Sequence, residues 1–379
     1  MEILQYSEGH HRFRKRLREF CQKEIIPNID SWEKDHLVPK EIWEKMGKEG
    51  FLCTWVSTRY GGLGLDFLYS VIVAEEMTKT NHYGLDSFLH SDIVVPYIGS
   101  FGTEEQKHRY LPDCVSGKTV TAIAMTEPDA GSDLAAMIST AKETADGIVL
   151  NGSKTFISNA VNCDLVIVAA KDPEIANPHQ AISLYLVEAE TPGFKKGAPL
   201  DKLGLHSQDT AELFFTNCRI PKENRLGRSG TGFKIIMEKL QQERLMVSIV
   251  ALNMAEFILE WTIGYLKKES LAGCLENRQA AKFSLVEMKT EATLGRTFVE
   301  KLIADHIEKK DVVTETSMAK YWMTQTANQV ADRCLDLIGN FGMVEACPIA
   351  RTFRDVRVTP IFAGTNEIMK TIVAKSLKF

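Results

Sequence analysis

Three places in this sequence hold side chains whose type and spacing could do chemistry. Glu243 falls within an apolar line made by Ile236, Leu240, Val247, Val250, Met254 and Trp261, three residues after Leu240 and four before Val247. A carboxylate on that face is costly unless it is paired or neutral. Two causes fit: an internal salt bridge, or a general base whose burial lifts its pKa toward neutrality. Arg244 lies at the edge of the same stripe. Asp92 repeats the pattern, because Leu85, Phe88, Leu89, Asp92 and Val95 share helical spacing. It escapes to solvent, pairs with a base, or faces a ligand. The third place is a strand-like run, residues 120–125, that enters the loop Thr126-Glu127-Pro128-Asp129-Ala130-Gly131-Ser132-Asp133. Loops of this composition expose backbone N–H groups and hydroxyls on a rigid scaffold. Thr126 and Ser132 could reach a planar polar ligand; a solvated turn with a helix cap explains the same residues.

The elements that must position these groups change type twice along the chain, giving an α+β class with three domains. Residues 1–118 read as helices: an amphipathic run from His11 is ended by Pro27, and Thr103 has a capping signature with Gln106. Three glycines within Gly61-Gly62-Leu63-Gly64 break the pattern between helices. Residues 119–230 carry short β-runs separated by proline-containing loops, the text of a small antiparallel barrel or sandwich. Asn151-Gly152 reads there as a two-residue hairpin turn. Residues 231–379 return to helix, with long runs over 233–268, 278–308 and 317–338 that suit a four-helix-bundle-like domain packing against copies of itself. Thr365-Asn366-Glu367 caps a last short helix.

Composition excludes several classes. Hydrophobic content of 44%, charged content of 25% and a net charge of −5 describe an ordinary globular protein with no nucleic-acid footprint. No run of 18 apolar residues predicts a membrane span, and residues 1–20 lack a signal-peptide core. The 8 cysteines show no CxxC spacing, which argues against zinc and a redox dithiol. Buried thiols in a reducing compartment, here the cytoplasm, are the expectation.

Taken together, Thr126-Glu127-Pro128 with Ala130-Gly131-Ser132-Asp133, the run Asn151-Gly152-Ser153-Lys154-Thr155-Phe156-Ile157-Ser158-Asn159, Pro221-Lys222-Glu223-Asn224, Gln242-Glu243-Arg244-Leu245 and Ala363-Gly364-Thr365-Asn366-Glu367-Ile368 resemble the acyl-CoA dehydrogenase family, in the family's order. The resemblance is nearest to the long-chain and isovaleryl branches. Family members carry the catalytic glutamate either just before Gly-Thr in the C-terminal motif or on the long helix beside an arginine. Ala363 occupies the first position here and Glu243 the second.

The resemblance implies an FAD-dependent α,β-dehydrogenation of an acyl-CoA thioester. Glu243 would take the α proton, and the β hydrogen would leave as hydride to flavin N5. The backbone N–H at Ala363 and a flavin ribityl hydroxyl would stabilise the thioester oxygen. Ile123, Met125, Thr126 and Ser132 match flavin and CoA contacts, Phe156 and Ser158 match positions behind the isoalloxazine, and Thr365 and Glu367 match contacts to the other half of FAD. Arg244, Gly364 and Ser132 match the substrate side. Asp92 matches a wall of the acyl pocket that is commonly apolar or small in the family. A second carboxylate there suggests a cyclic or unsaturated acyl-CoA, dehydrogenated in a 1,4 sense. An electron-transferring flavoprotein is the implied acceptor, and a homotetramer (a dimer of dimers) the implied assembly.

Two departures stand out. The family's Arg-x-x-Phe-Gly clamp on a neighbouring subunit's FAD diphosphate reads Glu269-Ser270-Leu271-Ala272-Gly273 here, and Asp336 replaces a glutamine before Gly339. Acids facing a diphosphate repel it, which leaves Arg278 or Lys282 as substitutes. Alternatives to the dehydrogenase are a partner subunit of a heteromer with impaired FAD binding, or a flavin oxidase or monooxygenase on the same scaffold.

Overall fold

The structure is a computed structural model that describes residues 3–268 and 279–378. Six helices come first: α1 (Glu8–Phe20), α2 (Ile29–Asp35), α3 (Lys40–Lys48), α4 (Phe67–Thr78), α5 (Val95–Phe101) and α6 (Glu104–Ser116). Local chemistry sets their ends. Thr103 and Gln106 form the expected reciprocal cap of α6, and Gly117 closes it in the left-handed region at φ 76°. The run expected to be one helix up to Pro27 changes pitch first: α1 gives way to a π-turn over Cys21–Ile25 and a 3₁₀ turn containing Pro27.

The middle segment is a mixed sheet of β1 (Thr121–Ala124), β2 (Thr140–Thr144), β3 (Gly147–Ser158), β4 (Leu165–Lys171), β5 (Ile182–Glu188), β6 (Phe194–Pro199), β7 (Thr210–Ile220) and β8 (Arg225–Leu226), with the short α7 (Pro178–Ala181) before β5. The spatial order is β6-β7-β3-β2-β4-β5-β8, with β1 beside β4. Antiparallel pairing dominates, as expected, but β1–β4 and β2–β4 are parallel. β4 shows why its sequence is apolar throughout. Leu165, Ile167 and Ala169 face the core shared with the N-terminal helices, while Val166, Val168 and Ala170 face the core inside the β segment.

The hairpin expectation at Asn151-Gly152 is wrong. β3 runs straight through these residues, and its turn to β2 lies between Thr144 and Gly147. Gly152 instead occupies a bulge opposite β7, at φ 141°, where a Cβ would collide with the Ser139 side chain.

The last segment comprises α8 (Gly232–Lys268), α9 (Gln279–Ile307), α10 (Val313–Ile338), α11 (Pro348–Val356) and α12 (Asn366–Ser376). By length and hydropathy α8 could cross a bilayer. Its apolar residues Leu245, Ile249, Leu252 and Ile258 are instead buried in one core with Val299 and Ile303 of α9 and Met323, Ala327 and Val330 of α10. The seven cysteines among the described residues are free and buried.

Candidate active site

The cradle loop is built from the back outward. Glu127 and Ala130 exchange backbone hydrogen bonds of 2.9 and 3.2 Å across Pro128-Asp129, so the loop is a tight turn. The Glu127 carboxylate turns inward and accepts from the backbone N–H groups of Ile138 (2.6 Å) and Ser139 (3.0 Å). It also accepts from Lys154 Nζ at 2.7 Å, and the same ammonium donates to Met125 O at 3.0 Å. Lys154 is 0% exposed, so this is a buried ion pair whose oxygens and protons are taken up by strands on both sides. Burial opposes the charge of Glu127, yet the Lys154 charge and the two amides hold its pKa below the ordinary value.

With Glu127 and Lys154 facing in, Thr126, Ser132 and Ser158 stay half-buried or exposed on the outer side, and Ile123 and Met125 pack at the margin of the N-terminal core. Thr155 N–H donates to Thr126 O at 3.0 Å, tying β3 to the loop. The next residue, Phe156, has φ 55° and is 69% exposed. A bulky side chain in the left-handed region, turned outward from a pinned strand, is a strained platform suited to a flat ring. The loop leaves Gly131 with only Thr126 Cγ2 at 4.0 Å from where a Cβ would lie. Hydroxyls, an open loop backbone and an outward aromatic face fit an isoalloxazine; the residues present fit FAD.

The second half of the site lies among helices. Glu243 is buried on α8, and its Oε2 has no hydrogen-bond partner among the described residues. Burial pushes its pKa up to about 7, against the lowering pull of Arg244 and then Lys320. The salt-bridge expectation is not met by contact: no ion pair joins Glu243 to Arg244 or Lys320 among the described residues. Arg244 is itself buried, with Nη1 3.5 Å from Ser317 Oγ and Nε without a partner.

Lys320, on α10, was not anticipated. It is 0% exposed and donates from Nζ to Gly364 O (2.7 Å) and to Asn366 Oδ1 (3.3 Å). Desolvation pulls its pKa down to about 7, with the Arg244 charge adding to the fall and Glu243 and Glu367 opposing it. The sequence signal is weak: Thr316, Lys320, Met323 and Ala327 share one buried helical line, but its threonine and alanine dilute the apolar pattern that singles out Glu243. Lys320 anchors the C-terminal motif, in which Ala363 (φ 55°) and Gly364 (φ 87°) are both left-handed. Thr365 then caps α12 by accepting from Ile368 N–H at 3.3 Å, with Glu367 in the first turn.

Asp92 does not sit on the regular helix expected for residues 85–101. Leu85 precedes the helix, and residues 89–94 form a π-turn (Leu89–Val94) that leads into α5. The wider pitch re-aims the side chain, and such turns recur at functional sites. Asp92 is 2% exposed and its Oδ1 has no partner among the described residues. Burial pushes its pKa up to about 7, with a hydrogen bond to Ser70 opposing. Its backbone carbonyl accepts from Gln242 Nε2 at 2.6 Å, which places the turn against the residue preceding Glu243. Tyr97, a second residue the sequence did not flag, is buried with an unpartnered hydroxyl; burial and then the Glu243 charge push its pKa well up.

The structure thus links Glu243, Arg244 and Gly364 through the unanticipated Lys320, and ties Met125 and Thr126 to the strand that carries Phe156. Glu269 and Arg278 lie outside the described residues, Lys282 lies within α9, and Asp336 is exposed near the end of α10. No group of three or more metal-ligating side chains occurs among the described residues.

A mixed sheet between two helical segments, a cradle beneath an outward aromatic, and a buried glutamate in the field of the lysine that holds a strained glycine loop define a flavin-dependent dehydrogenase scaffold. The family comparisons agree. Models of the acyl-CoA dehydrogenase N-terminal, middle and C-terminal domains match residues 7–118, 122–218 and 230–378. The mouse (Mus musculus) mitochondrial long-chain specific acyl-CoA dehydrogenase is 42% identical over 374 residues, covering 98% of this chain and 87% of that one. A crystal structure of an acyl-CoA dehydrogenase from Geobacillus kaustophilus superposes with TM-score 0.96 at 50% identity, covering 99% of each chain. The FAD complex of PigA superposes with TM-score 0.93 at 28% identity, over 100% of this chain and 99% of that one. The chain belongs to the acyl-CoA dehydrogenase family and is an FAD-dependent oxidoreductase.

Proposed function

We propose that this enzyme removes the α proton of an acyl-CoA thioester with Glu243 and stabilises the resulting charge on the thioester oxygen with the Ala363 backbone N–H. One observation carries the reading: a buried carboxylate with an unshared oxygen, its pKa raised to about 7, in the field of the Lys320 ammonium that holds the left-handed Ala363–Gly364 loop. A base poised there is half ionised at neutral pH and keeps enough basicity to act. Bound FAD supplies a hydride acceptor for the β hydrogen. The protein's share is positional: Phe156, Thr126, Ser158 and Ser132 hold the ring system, Thr365 and Glu367 the other half of the cofactor, and Arg244 and Gly364 face the thioester side. Electrons then leave to an electron-transferring flavoprotein from a homotetramer.

Asp92 favours a particular substrate class. A buried carboxyl with an open oxygen and a pKa lifted to about 7 suits an alkyl tail poorly and, once ionised, can accept a proton. The substrate is then a cyclic or already unsaturated acyl-CoA losing hydrogen in a 1,4 sense. Asp92, ionised, would take the single proton from the distal carbon in place of Glu243, and the other hydrogen would leave as the hydride that bound FAD accepts. The test is anaerobic flavin bleaching by a panel of straight-chain, cyclic and cyclic-unsaturated acyl-CoA thioesters, followed by air. Fast bleaching by cyclic thioesters, lost in Asp92→Leu, is the expected result. A parent that bleaches only with straight chains, or an Asp92→Leu enzyme with full cyclic activity, removes the role of Asp92. Rapid recolouring in air identifies an oxidase.

A further inference from the structure

Lys320 is the one buried ammonium in the helical half of the site among the described residues, and the mechanism above leaves it without a task. Its donors are spent on two groups of one loop, Gly364 O and Asn366 Oδ1. Asn366 is in turn fixed, accepting from Thr324 Oγ1 at 3.1 Å and donating from Nδ2 to Tyr321 O at 3.2 Å. The loop thus hangs from α10 by a cluster centred on Lys320. Two successive left-handed residues, one of them an alanine, persist only where their surroundings over-determine the backbone. Lys320 supplies that constraint at the residue following the alanine.

We propose that Lys320 is a positioning residue that couples the two halves of proton abstraction: its ammonium pins the Ala363–Gly364 backbone where the thioester oxygen must bind, and the same charge steadies Glu243 as a carboxylate.

The proposal rests on the assignment of Glu243 as base. The charged and titratable groups around the pair are few. Glu243 is influenced by Arg244 and Lys320, and it acts in turn on Tyr97 of α5. Lys320 is influenced by Glu243, by Arg244 and, from α12, by Glu367. Arg244 cannot replace Lys320, because it is planted on the helix of the base and has no bond to the loop among the described residues. An unpaired ammonium would be expensive in this interior. The arrangement holds because Gly364 O, Asn366 Oδ1 and the field of Glu243 share one cation. Proton flow is balanced: the substrate's α proton passes to Glu243 and the charge left behind settles on the thioester oxygen, with no proton given to or taken from Lys320.

The test uses the flavin-bound enzyme and a 3-ketoacyl-CoA, which is not oxidised. Its C2 proton passes to Glu243, and its enolate is seen directly by ultraviolet absorption. Lys320→Met is expected to keep the parent's FAD content and circular dichroism. Its apparent pKa for enolisation of the bound ligand should rise by about one unit, and its affinity for that ligand should fall about tenfold. Lys320→Arg retains the charge but not the compact donor geometry, so its enolisation pKa should stay with the parent while affinity falls. If Lys320→Met does not fold, Lys320→Arg decides alone. Parental pKa and parental affinity in whichever variant folds overturn the proposal, as does a Lys320→Arg pKa shifted as far as that of Lys320→Met. Glu243→Gln, run beside them, separates the two claims: if it enolises the ligand as the parent does, the base assignment fails; if it does not while the Lys320 variants behave as the parent, only the Lys320 inference fails.

Discussion

The β segment and the helical bundle each bury a glutamate near a lysine, and they treat the pair in opposite ways. Glu127 meets Lys154 at 2.7 Å and takes two backbone amides besides, so none of its charge is left to do work. Glu243 lies in the field of Lys320 without touching it, and Oε2 is open. The first pair is held ionised and fixes a loop; the second is held near the balance point of its proton. The lesson is that burial alone does not mark a reactive acid. What marks it is burial with an unfilled valence for hydrogen bonds, and by that measure Asp92 belongs with Glu243.

The largest effect should come from removing the open acid. Glu243→Gln is expected to slow anaerobic flavin bleaching by about 10³- to 10⁴-fold while leaving FAD content and thermal stability near the parent's, since general bases contribute on that scale. Removing the filled pair should do the reverse. Lys154→Met leaves Glu127 buried and unpaired, at a cost of roughly 3–5 kcal/mol. The result expected in a thermal melt and a flavin assay is a lowered Tm and a cradle that loses FAD, with activity falling only in proportion to flavin retained. Equal losses of rate per bound flavin in both variants would erase the distinction.

Much of this contrast was legible in the sequence, because period and charge disagree visibly at Glu243: an acid inside an apolar helical stripe needs no structure to be noticed. The three-part alternation of helix, strand and helix was legible for the same reason. What escaped has physical causes. Lys320 stands in a line of Thr316, Met323 and Ala327, which is too mixed in polarity to make a lysine conspicuous, and the loop it holds lies 44 residues on. The Glu127–Lys154 pair spans 27 residues, from the turn after β1 to β3, which local patterning does not join. Asn151-Gly152 misled because its glycine serves close packing against Ser139 within a bulge, a demand that looks identical to a turn in one dimension. Asp92 was found by assuming regular pitch, and the π-turn shows the burial was right for a different geometry.

The smallest effect sharpens the place of Asp92. Burial raises its pKa from the ordinary 3.8 to about 7, so the folded protein binds a proton there that the unfolded chain has released. Stability from that protonated acid is full below the unfolded value and is lost as pH rises through about 7. Asp92→Asn should therefore gain on the parent by a few degrees of Tm between about pH 5 and about pH 8. A difference in Tm that stays constant over that range would place the Asp92 carboxyl with the satisfied groups, beside Glu127.

The central claim is that Glu243 takes the α proton, and exchange reports it directly. In deuterated buffer, an acyl-CoA that binds but cannot lose its β hydrogen should exchange its α protons on the parent enzyme, with a rate that rises through a midpoint near 7 and levels above it. Mass spectrometry of the recovered thioester should find no enzyme-dependent deuterium with Glu243→Gln. Deuterium incorporated by Glu243→Gln at the parent's rate would contradict the account.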